Sequence, residues 1–539
     1  MRRMKGAAGL LTALLLAFQL SAQTFALANE DNGIKVVPVN FTHNGYSYEI
    51  EGVAKSTEGD YQIKSPSRLA ARKLPSAYDP RSSGEITTVK DQASTGACWA
   101  FSALACAEQD LIKKGLENPS AEFSVPALVL SSNSGTATGK DDFSSGGNWL
   151  FAASALANGQ GLCYEDYEPF LESGTENMIV SENKKSVSEY RLNYVMELSS
   201  TTQVKRKIME LGAVSASYFA GNGYMNHNNT AYYDPDASKN TIINHSVTVV
   251  GWDDNYSKDN FRYKPANNGA WLVKGSWGAD QDNDGFYWVS YDEAEFGQFC
   301  CYDFEESCDN TYHYSKMTGY VVNASNDGSV YGANVFTAKA DEKLDKAGFM
   351  YVGKTGSADY TLSVYTDVSD SDPIGVLETQ ISGSVSANGF YTVDFPEDIL
   401  LEEGEKYSIS VKFSGDSGRG YLLAESDRTS KAQSGQSYVS LNGKYWSDVG
   451  ADKTDSIGSL FIYAYTDDTE KPDKSSLESA LAKYGTLAGC EREANNARMV
   501  LADENASKND ISNAQNLLIS AAEEQDEALV ITTEAQWES

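Results

Sequence analysis

Several residue types and patterns are scarce in this chain of 539 residues, and each scarcity excludes a class of protein. Lysine and arginine number 43 against 76 aspartates and glutamates, which gives a formal net charge of −33. Nucleic acids and anionic membranes bind clustered basic residues, so we expect neither as a partner. After the first 28 residues no apolar run is long enough to cross a bilayer, and we expect no membrane span.

Cysteine is also sparse for a protein that depends on disulfides. The seven cysteines occupy positions 98, 106, 163, 300, 301, 308 and 490. A large chain with so few cysteines builds its cores without a dense disulfide framework, and an odd count leaves at least one thiol free or intermolecular. A local bridge from Cys300 or Cys301 to Cys308 and a fully reduced set are both compatible with the sequence.

Residues 1–28 have the pattern of a secretory signal peptide. Two arginines and a lysine within the first five residues precede the apolar run LLTALLLAF, and Ala26–Ala28 provides a small-x-small cleavage site. The C-terminal QWES is not a hydrophobic tail. We therefore expect a secreted protein that is extracellular or loosely associated with the cell surface. The polar residues 29–73 form either a propeptide or a structured N-terminal extension.

A cysteine stands where a predicted helix begins. Apolar residues recur at helical spacing from Phe101 to Ile112, and Gly115 is suited to end the helix. Cys98 falls at the first helical position, where backbone N–H groups and the helix dipole favour a thiolate nucleophile. The alternative is a small buried apolar side chain, which is our interpretation of Cys106.

Two further residues supply what a cysteine nucleophile requires. Gln92 precedes Cys98 by six positions across a turn-prone segment, so its amide can return beside the sulfur as an oxyanion donor. His245 begins the β-branched run HSVTVVGW, a predicted buried strand. Its imidazole would hold the thiolate in an ion pair and protonate the leaving amine. His227, in a polar segment, is the weaker candidate.

These segments resemble the active-site motifs of papain-like cysteine peptidases. The run QASTGACWAF, residues 92–101, is similar to the segment around the family's nucleophile, and Gly251-Trp252 follows the histidine strand as in the family. For residues 74–305 the resemblance implies an α+β fold with two subdomains, a helical half and a β-barrel-like half. It also implies a thioester mechanism that requires neither a metal nor an organic cofactor.

The resemblance also implies a substrate-binding role for three residues. Gly146 and Gly147 align with the glycine pair that offers its backbone to the substrate peptide, and Trp277 aligns with the tryptophan that covers the histidine. The spacing of Asp280, Asp282 and Asp284 is similar to the first half of a calcium loop, but the closing glutamate is missing. We expect a turn there and no metal.

The chain departs from the family pattern at two positions. Thr95 stands where the family has a disulfide-forming cysteine, and Gly275 stands where it has the asparagine that orients the histidine. A glycine has no side chain to orient anything, so His245 must rely on another group. Losing an orienting residue lowers the rate by orders of magnitude without abolishing the chemistry.

The C-terminal third of the sequence predicts two further units. Alternating apolar and polar residues in 360–365, 390–395, 406–413 and 459–466 predict strands of an antiparallel β-sandwich over residues 311–466. This region resembles the lectin-like domain of exported bacterial peptidases, which implies glycans or a cell surface as partners. Residues 474–528 predict a small helical bundle, with a capping box formed by Ser475 and Glu478.

The sequence therefore favours a secreted cysteine peptidase that cleaves peptides or proteins. An alternative is a weakly active or inactive papain-like protein that serves in adhesion or glycan binding, which Gly275 favours. A third is an acyl-transfer enzyme that uses the same thioester. The retention of Gln92, Cys98 and His245 favours the peptidase, because a binding scaffold has no need of all three.

Overall fold

A computed structural model describes most of the chain after residue 72. The described residues are 35–38, 42–43, 46–47, 73–132, 142–159, 162–165, 189–221, 223–237, 243–279, 282–316, 321–369, 372–426, 432–451, 457–470, 473–503, 506 and 510–522. The predicted signal peptide and most of residues 29–73 lie outside them. No helix of this described part is long and apolar enough to cross a membrane.

The helices fall into an N-terminal and a C-terminal group. In chain order they are α1 Cys98–Lys114, α2 Val125–Ser131, α3 Asp142–Ser145, α4 Trp149–Ala157, α5 Thr201–Leu211, α6 Ser475–Tyr484, α7 Glu491–Ala502 and α8 510–522. The predicted helix at Cys98 is confirmed. It ends where Gly115 adopts a φ of 74° and donates its N–H to the carbonyls of Ile112 and Leu111, a conformation that glycine adopts without strain.

The strands dominate the chain after residue 190. They are β1 Lys35–Pro38, β2 Thr42–His43, β3 Tyr46–Ser47, β4 Ala77–Tyr78, β5 Tyr190–Leu198, β6 Val214–Tyr218, β7 Met225–Asn226, β8 Ala231–Tyr232, β9 His245–Asp253, β10 Ala270–Lys274, β11 Phe286–Ser290, β12 Gly297–Glu306, β13 Asn310–Tyr312, β14 Val321–Thr337, β15 Glu342–Tyr351, β16 Ala358–Thr366, β17 Val376–Val385, β18 Gly389–Leu401, β19 Lys406–Ser426, β20 Ser437–Ser440, β21 Ser447–Asp448, β22 Ile457–Leu460 and β23 Ile462–Asp468.

One long sheet carries the histidine strand. Its order is β13-β23-β15-β18-β5-β12-β6-β9-β10-β11-β8-β7, with β4 paired to β9. All of these pairs are antiparallel except β8 with β11. Within the described residues the sheet runs from β13 to β7 without closing, so the half expected to be barrel-like is an open sheet. Helix α1 packs on its centre and buries Leu104 and Leu111 there.

The second sheet completes the predicted antiparallel β-sandwich. Its order is β17-β16-β19-β14-β20-β21, with β1 on β14 and β22 on β19. It packs on the part of the long sheet that contains β15, where the rings of Phe349 and Phe413 lie 5.2 Å apart between the two sheets. Leu362 and Val364 of β16 are fully buried, as the alternation predicts.

The long sheet passes without interruption from the predicted peptidase region into the lectin-like region. Gly389 of β18 pairs with Met196 of β5, and the next two residues of β18 also pair with β5. At the same junction the Glu197 carboxylate accepts hydrogen bonds of 3.0 Å from Trp149 Nε1 and Asn388 Nδ2. Burial raises the pKa of Glu197, and these two donors lower it in part. The division of the chain between residues 305 and 311 therefore stays a prediction.

The C-terminal helices form a small separate core. Leu477, Val500, Ile511 and Leu518 are among its buried residues. The predicted capping box is wrong, because Ser475 lies inside α6 and its hydroxyl donates to the Asp473 carboxylate instead. The Asp473 carboxylate accepts hydrogen bonds from both the backbone N–H and the hydroxyl of Ser475.

The junction between β18 and β5 should not tolerate a side chain at Gly389. A Cβ there would collide with the Val195 carbonyl oxygen, so Gly389→Ala should destabilise the protein by about 1–3 kcal/mol. Thermal unfolding of the full chain measures the loss. Gly297→Ala is the matched control, because a Cβ on Gly297 has nothing within 4 Å. Equal melting temperatures for the two variants would contradict this account of the junction.

Candidate active site

The predicted nucleophile lies where α1 meets β9. One turn along the helix, Ser102 Oγ donates a 2.7 Å hydrogen bond to the carbonyl of Val247. Thr248 Oγ1 lies 3.3 Å from the same hydroxyl. These buried contacts fix the helix against the beginning of the strand. They place Cys98 near the beginning of β9, where His245 lies.

The sulfur of Cys98 contacts the residue that follows the predicted histidine. The side chain is half-buried, and its thiol is not in a disulfide. Burial raises the pKa of the Cys98 thiol, and hydrogen bonds from the N–H and hydroxyl of Ser246 and from the N–H of Trp99 lower it in part. The structure thus brings Cys98 to Ser246, the residue that follows His245 in β9.

His245 is enclosed by aromatic side chains. It is 6% exposed, and burial lowers the pKa of its imidazole to about 4. Trp277 stacks on it with ring centroids 4.5 Å apart and an interplanar angle of 7°. Burial therefore disfavours charge on each of these two groups taken alone. The resting ion pair that the sequence predicts stays a prediction.

The Nε2 nitrogen of His245 has no hydrogen-bond acceptor among the described residues. Nε2 is buried and makes no hydrogen bond within the described part of the chain. Gly275, at the family's asparagine position, directly follows β10 and offers no side chain. A Cβ on Gly275 would lie 3.3 Å from Cε1 of Tyr287 and 3.1 Å from the carbonyl oxygen of Gly285. The ring of Tyr287 therefore borders the space that an asparagine would fill.

Gln92 is held as an oxyanion donor would be. It is 6% exposed. Its Oε1 accepts a 2.6 Å hydrogen bond from Ser276 Oγ, and its backbone N–H donates to the Ser276 carbonyl at 2.8 Å. One N–H of Nε2 donates to the carbonyl of Thr95 at 2.8 Å, which leaves the second N–H for an oxyanion. Sequence reasoning missed Ser276 as the residue that holds this amide.

The glycine pair lies beside the residues that flank Cys98. The Gly96 N–H donates to the Phe143 carbonyl at 2.6 Å, and a Cβ on Gly96 would lie 3.0 Å from the nitrogen of Gly146. A Cβ on Gly147 would collide with the indole of Trp99. The backbone can approach the helix start this closely only because positions 96 and 147 are glycines.

A cavity opens on the Trp277 side of His245. Its volume is about 250 Å³, and Tyr218, Tyr232, Trp277 and Tyr287 contribute to its lining. His227, the weaker sequence candidate, lies on the wall of this cavity. A side chain or peptide group released beside His245 has room here.

A buried cluster of charged residues links α1 to β10 next to the site. Glu108 of α1 lies 3.8 Å from Lys274 and 3.4 Å from Lys90. Thr87 donates to the Glu108 carboxylate and accepts from Lys274, each at 2.6 Å. Burial lowers the pKa of Lys274, and the Glu108 carboxylate raises it in part. Separating the two elements would leave an uncompensated buried charge on each. The cluster therefore holds α1 and β10 together.

The remaining sequence questions concern disulfides and metals. All seven cysteines lie in the described residues, and no disulfide joins any two of them. In the part of the chain that the structure covers, no group of three or more His, Cys, Asp or Glu side chains could hold a metal ion. Asp280, the first residue of the calcium-like spacing, lies outside the described residues.

The fold is that of a papain-like domain followed by a lectin-like domain. Residues 74–324 match the sequence model of the papain family cysteine proteases. Residues 311–466 match that of the lectin like domain. The resemblance drawn from the sequence is thereby confirmed for these two regions.

Particular relatives resemble different lengths of the chain. Procathepsin L of Felis catus is 28% identical over 223 residues, which are 41% of this chain and 61% of procathepsin L. The chain thus spans about three fifths of that curated relative.

Two solved structures cover more of the chain. The cysteine protease and lectin-like domains of Cwp84, a surface layer associated protein of Clostridium difficile, superpose with a TM-score of 0.64 and 26% identity, covering 79% of this chain and 93% of that one. The clostridial cysteine protease Cwp84 after propeptide cleavage gives a TM-score of 0.63 and 28% identity, with coverages of 73% and 100%.

The burial of His245 predicts an unusually acidic titration. We expect its imidazole to titrate near pH 4 in NMR spectra of histidine-labelled protein, because burial lowers its pKa to about 4 from 6.5. The unfolded chain binds this proton between those two values and the folded chain does not, so stability should fall as the pH drops through that window. His245→Gln identifies the resonance among four histidines. A titration at or above 6.5 would contradict the prediction.

Proposed function

We propose that this chain is a secreted cysteine peptidase whose nucleophile is Cys98. The observation that carries the proposal is the placement of Cys98 at the start of α1, against Ser246 and beside a histidine enclosed by Trp277. The match to the papain family cysteine proteases supports it. Procathepsin L and Cwp84 support the same class of reaction through similarity over part or most of their length.

The first half of the reaction forms a thioester. His245 takes the proton of the Cys98 thiol as the sulfur attacks the carbonyl carbon of the scissile bond. The oxyanion accepts hydrogen bonds from the free N–H of Gln92 Nε2 and from the backbone N–H of Cys98. The tetrahedral intermediate then collapses, the C–N bond breaks, and the imidazolium gives its proton to the leaving amine.

The second half hydrolyses the thioester. A water replaces the amine, His245 takes a proton from it, and the resulting hydroxide attacks the acyl carbon. Cleavage of the C–S bond releases the carboxylic acid, and the imidazolium returns its proton to the sulfur of Cys98.

Substrate contacts follow from the two sides of the nucleophile. Gly146 and Gly147 offer backbone groups beside Trp99, and we assign the acyl side of the substrate to them. The leaving amine departs beside His245, so the cavity at Trp277 receives the other side. Peptides or proteins are the substrate class, and extracellular or surface-associated action agrees with the surface layer association of Cwp84.

A second candidate function is glycan binding by the lectin-like region. The loop between β20 and β21 presents Tyr445 at 81% exposure, next to Trp446. The Trp446 ring in turn contacts Tyr331 with centroids 6.4 Å apart. An exposed aromatic ring provides a flat apolar surface of the kind on which a sugar face stacks. This function is compatible with peptidase activity in the same chain.

An electrophilic epoxide probe for cysteine peptidases tests the nucleophile. We expect it to label the folded protein once, and Cys98→Ala to abolish the label, because no other thiol lies at the start of a helix beside a histidine. Intact-mass and peptide mass spectrometry measure both. Cys308→Ala is the control, since Cys308 is the other partly exposed cysteine. A folded wild-type protein that stays unlabelled would overturn the proposal.

A glycan array tests the second candidate function. We expect the full chain carrying Cys98→Ala to bind a subset of glycans, and Tyr445→Ser to reduce that binding at least tenfold because it removes the exposed ring. Leu400→Ser, which removes a side chain 69% exposed on β18, controls for the loss of surface apolar area. Binding that is unchanged by Tyr445→Ser would rule out this loop as the site.

A further inference from the structure

The histidine of the proposed peptidase lacks the acceptor that its protonated form needs. During both halves of the reaction His245 carries a proton on each ring nitrogen, and Nε2 is buried without a hydrogen-bond partner among the described residues. Gly275 supplies no side chain. A buried N–H of an imidazolium left unsatisfied is unfavourable by a substantial fraction of the catalytic barrier. Another group near the ring must therefore accept the hydrogen bond from Nε2–H.

Two buried tyrosines lie in the right place. The hydroxyls of Tyr218 and Tyr287 are 3.0 Å apart, and the two side chains are 1% and 4% exposed. The Tyr287 ring borders the space beside Gly275, at 3.3 Å from a Cβ built there. It also runs parallel to Trp277, with an interplanar angle of 15° and centroids 6.1 Å apart. Tyr287 therefore belongs to the aromatic group that encloses the histidine.

Tyr218 places this hydroxyl pair next to the histidine. It is the cross-strand partner of His245 in the pairing of β6 with β9, and such partners project from the same face of a sheet. Its ring meets the imidazole at 62° with centroids 6.0 Å apart. Burial raises the pKa of both tyrosines, and the Cys98 thiol adds to the effect at Tyr287. Both hydroxyls are therefore neutral near neutral pH, and Tyr287 lies within electrostatic reach of the sulfur.

We infer that Tyr287, together with Tyr218, is the positioning residue that replaces the missing asparagine and accepts the Nε2–H of His245 when the imidazole is protonated. A phenol oxygen both donates and accepts, so one hydroxyl can donate to its partner and accept from the ring. Hydrogen bonds of this kind are often long in the free enzyme and tighten when substrate binds. The inference rests on the proposed peptidase function.

Three variants test the inference with a peptide substrate. Tyr287→Phe removes only the hydroxyl, and we expect kcat to fall about tenfold or more with little change in KM. Gly275→Asn alone should not raise kcat, because its side chain meets the Tyr287 ring. Gly275→Asn combined with Tyr287→Leu frees the space and supplies an amide oxygen, so its kcat should exceed that of Tyr287→Leu at least tenfold. Tyr391→Phe is the control, because it removes from β18 a buried hydroxyl that donates to the Ala387 carbonyl.

The titration of His245 provides a readout that does not need turnover. An acceptor for Nε2–H favours the protonated ring, so Tyr287→Phe should lower the pKa of His245 further, by about one unit, and Tyr391→Phe should not. Wild-type kcat and an unchanged His245 titration in folded Tyr287→Phe would overturn the inference. A wild type that neither turns over substrate nor reacts with the epoxide defeats the peptidase proposal separately, and the titration still decides the role of Tyr287.

Discussion

The contact between α1 and β9 is the constraint on which the rest of the site depends. A cysteine at a helix start and a histidine at a strand start are far apart in the chain, and the buried hydrogen bond from Ser102 to Val247 fixes their relative position. The ion cluster around Glu108 ties the same helix to β10. The glycines, Gln92 and Trp277 are then arranged around a geometry that these contacts have already set.

Burial determines the electrostatics of this site. A low-dielectric environment disfavours both the thiolate and the imidazolium, so charge that develops during the reaction must be stabilised by nearby groups. The groups that matter most are then the ones that stabilise charge at that moment: Gln92 for the oxyanion and an acceptor for Nε2 of His245. In the proposed arrangement the second role passes from a side chain at position 275 to Tyr287 on the neighbouring strand β11.

Much of the fold could be predicted from the sequence, because it depends on local patterns. The helix at Cys98, the strand at His245 and the sandwich strands all follow from periodicity and turn residues. The aromatic group around the histidine could not be predicted, because Tyr218 and Tyr287 come together only through the pairing of β6, β9, β10 and β11. The alternation in FYWVSY is the one signal that Tyr287 faces inward. The motifs alone led us to expect a resting ion pair. The pKa values of its two members depend on how deeply the folded chain buries them, which the sequence does not show.

Trapping the acyl-enzyme tests the central claim most directly. The protein is mixed with a peptide ester, quenched in acid within the first turnovers, and digested for mass spectrometry. The account predicts an acyl group on the peptide that contains Cys98, which disappears as substrate is consumed and persists longer in His245→Gln if any forms. An acyl group on another residue, or product formed by folded protein without any acylated Cys98, would contradict it.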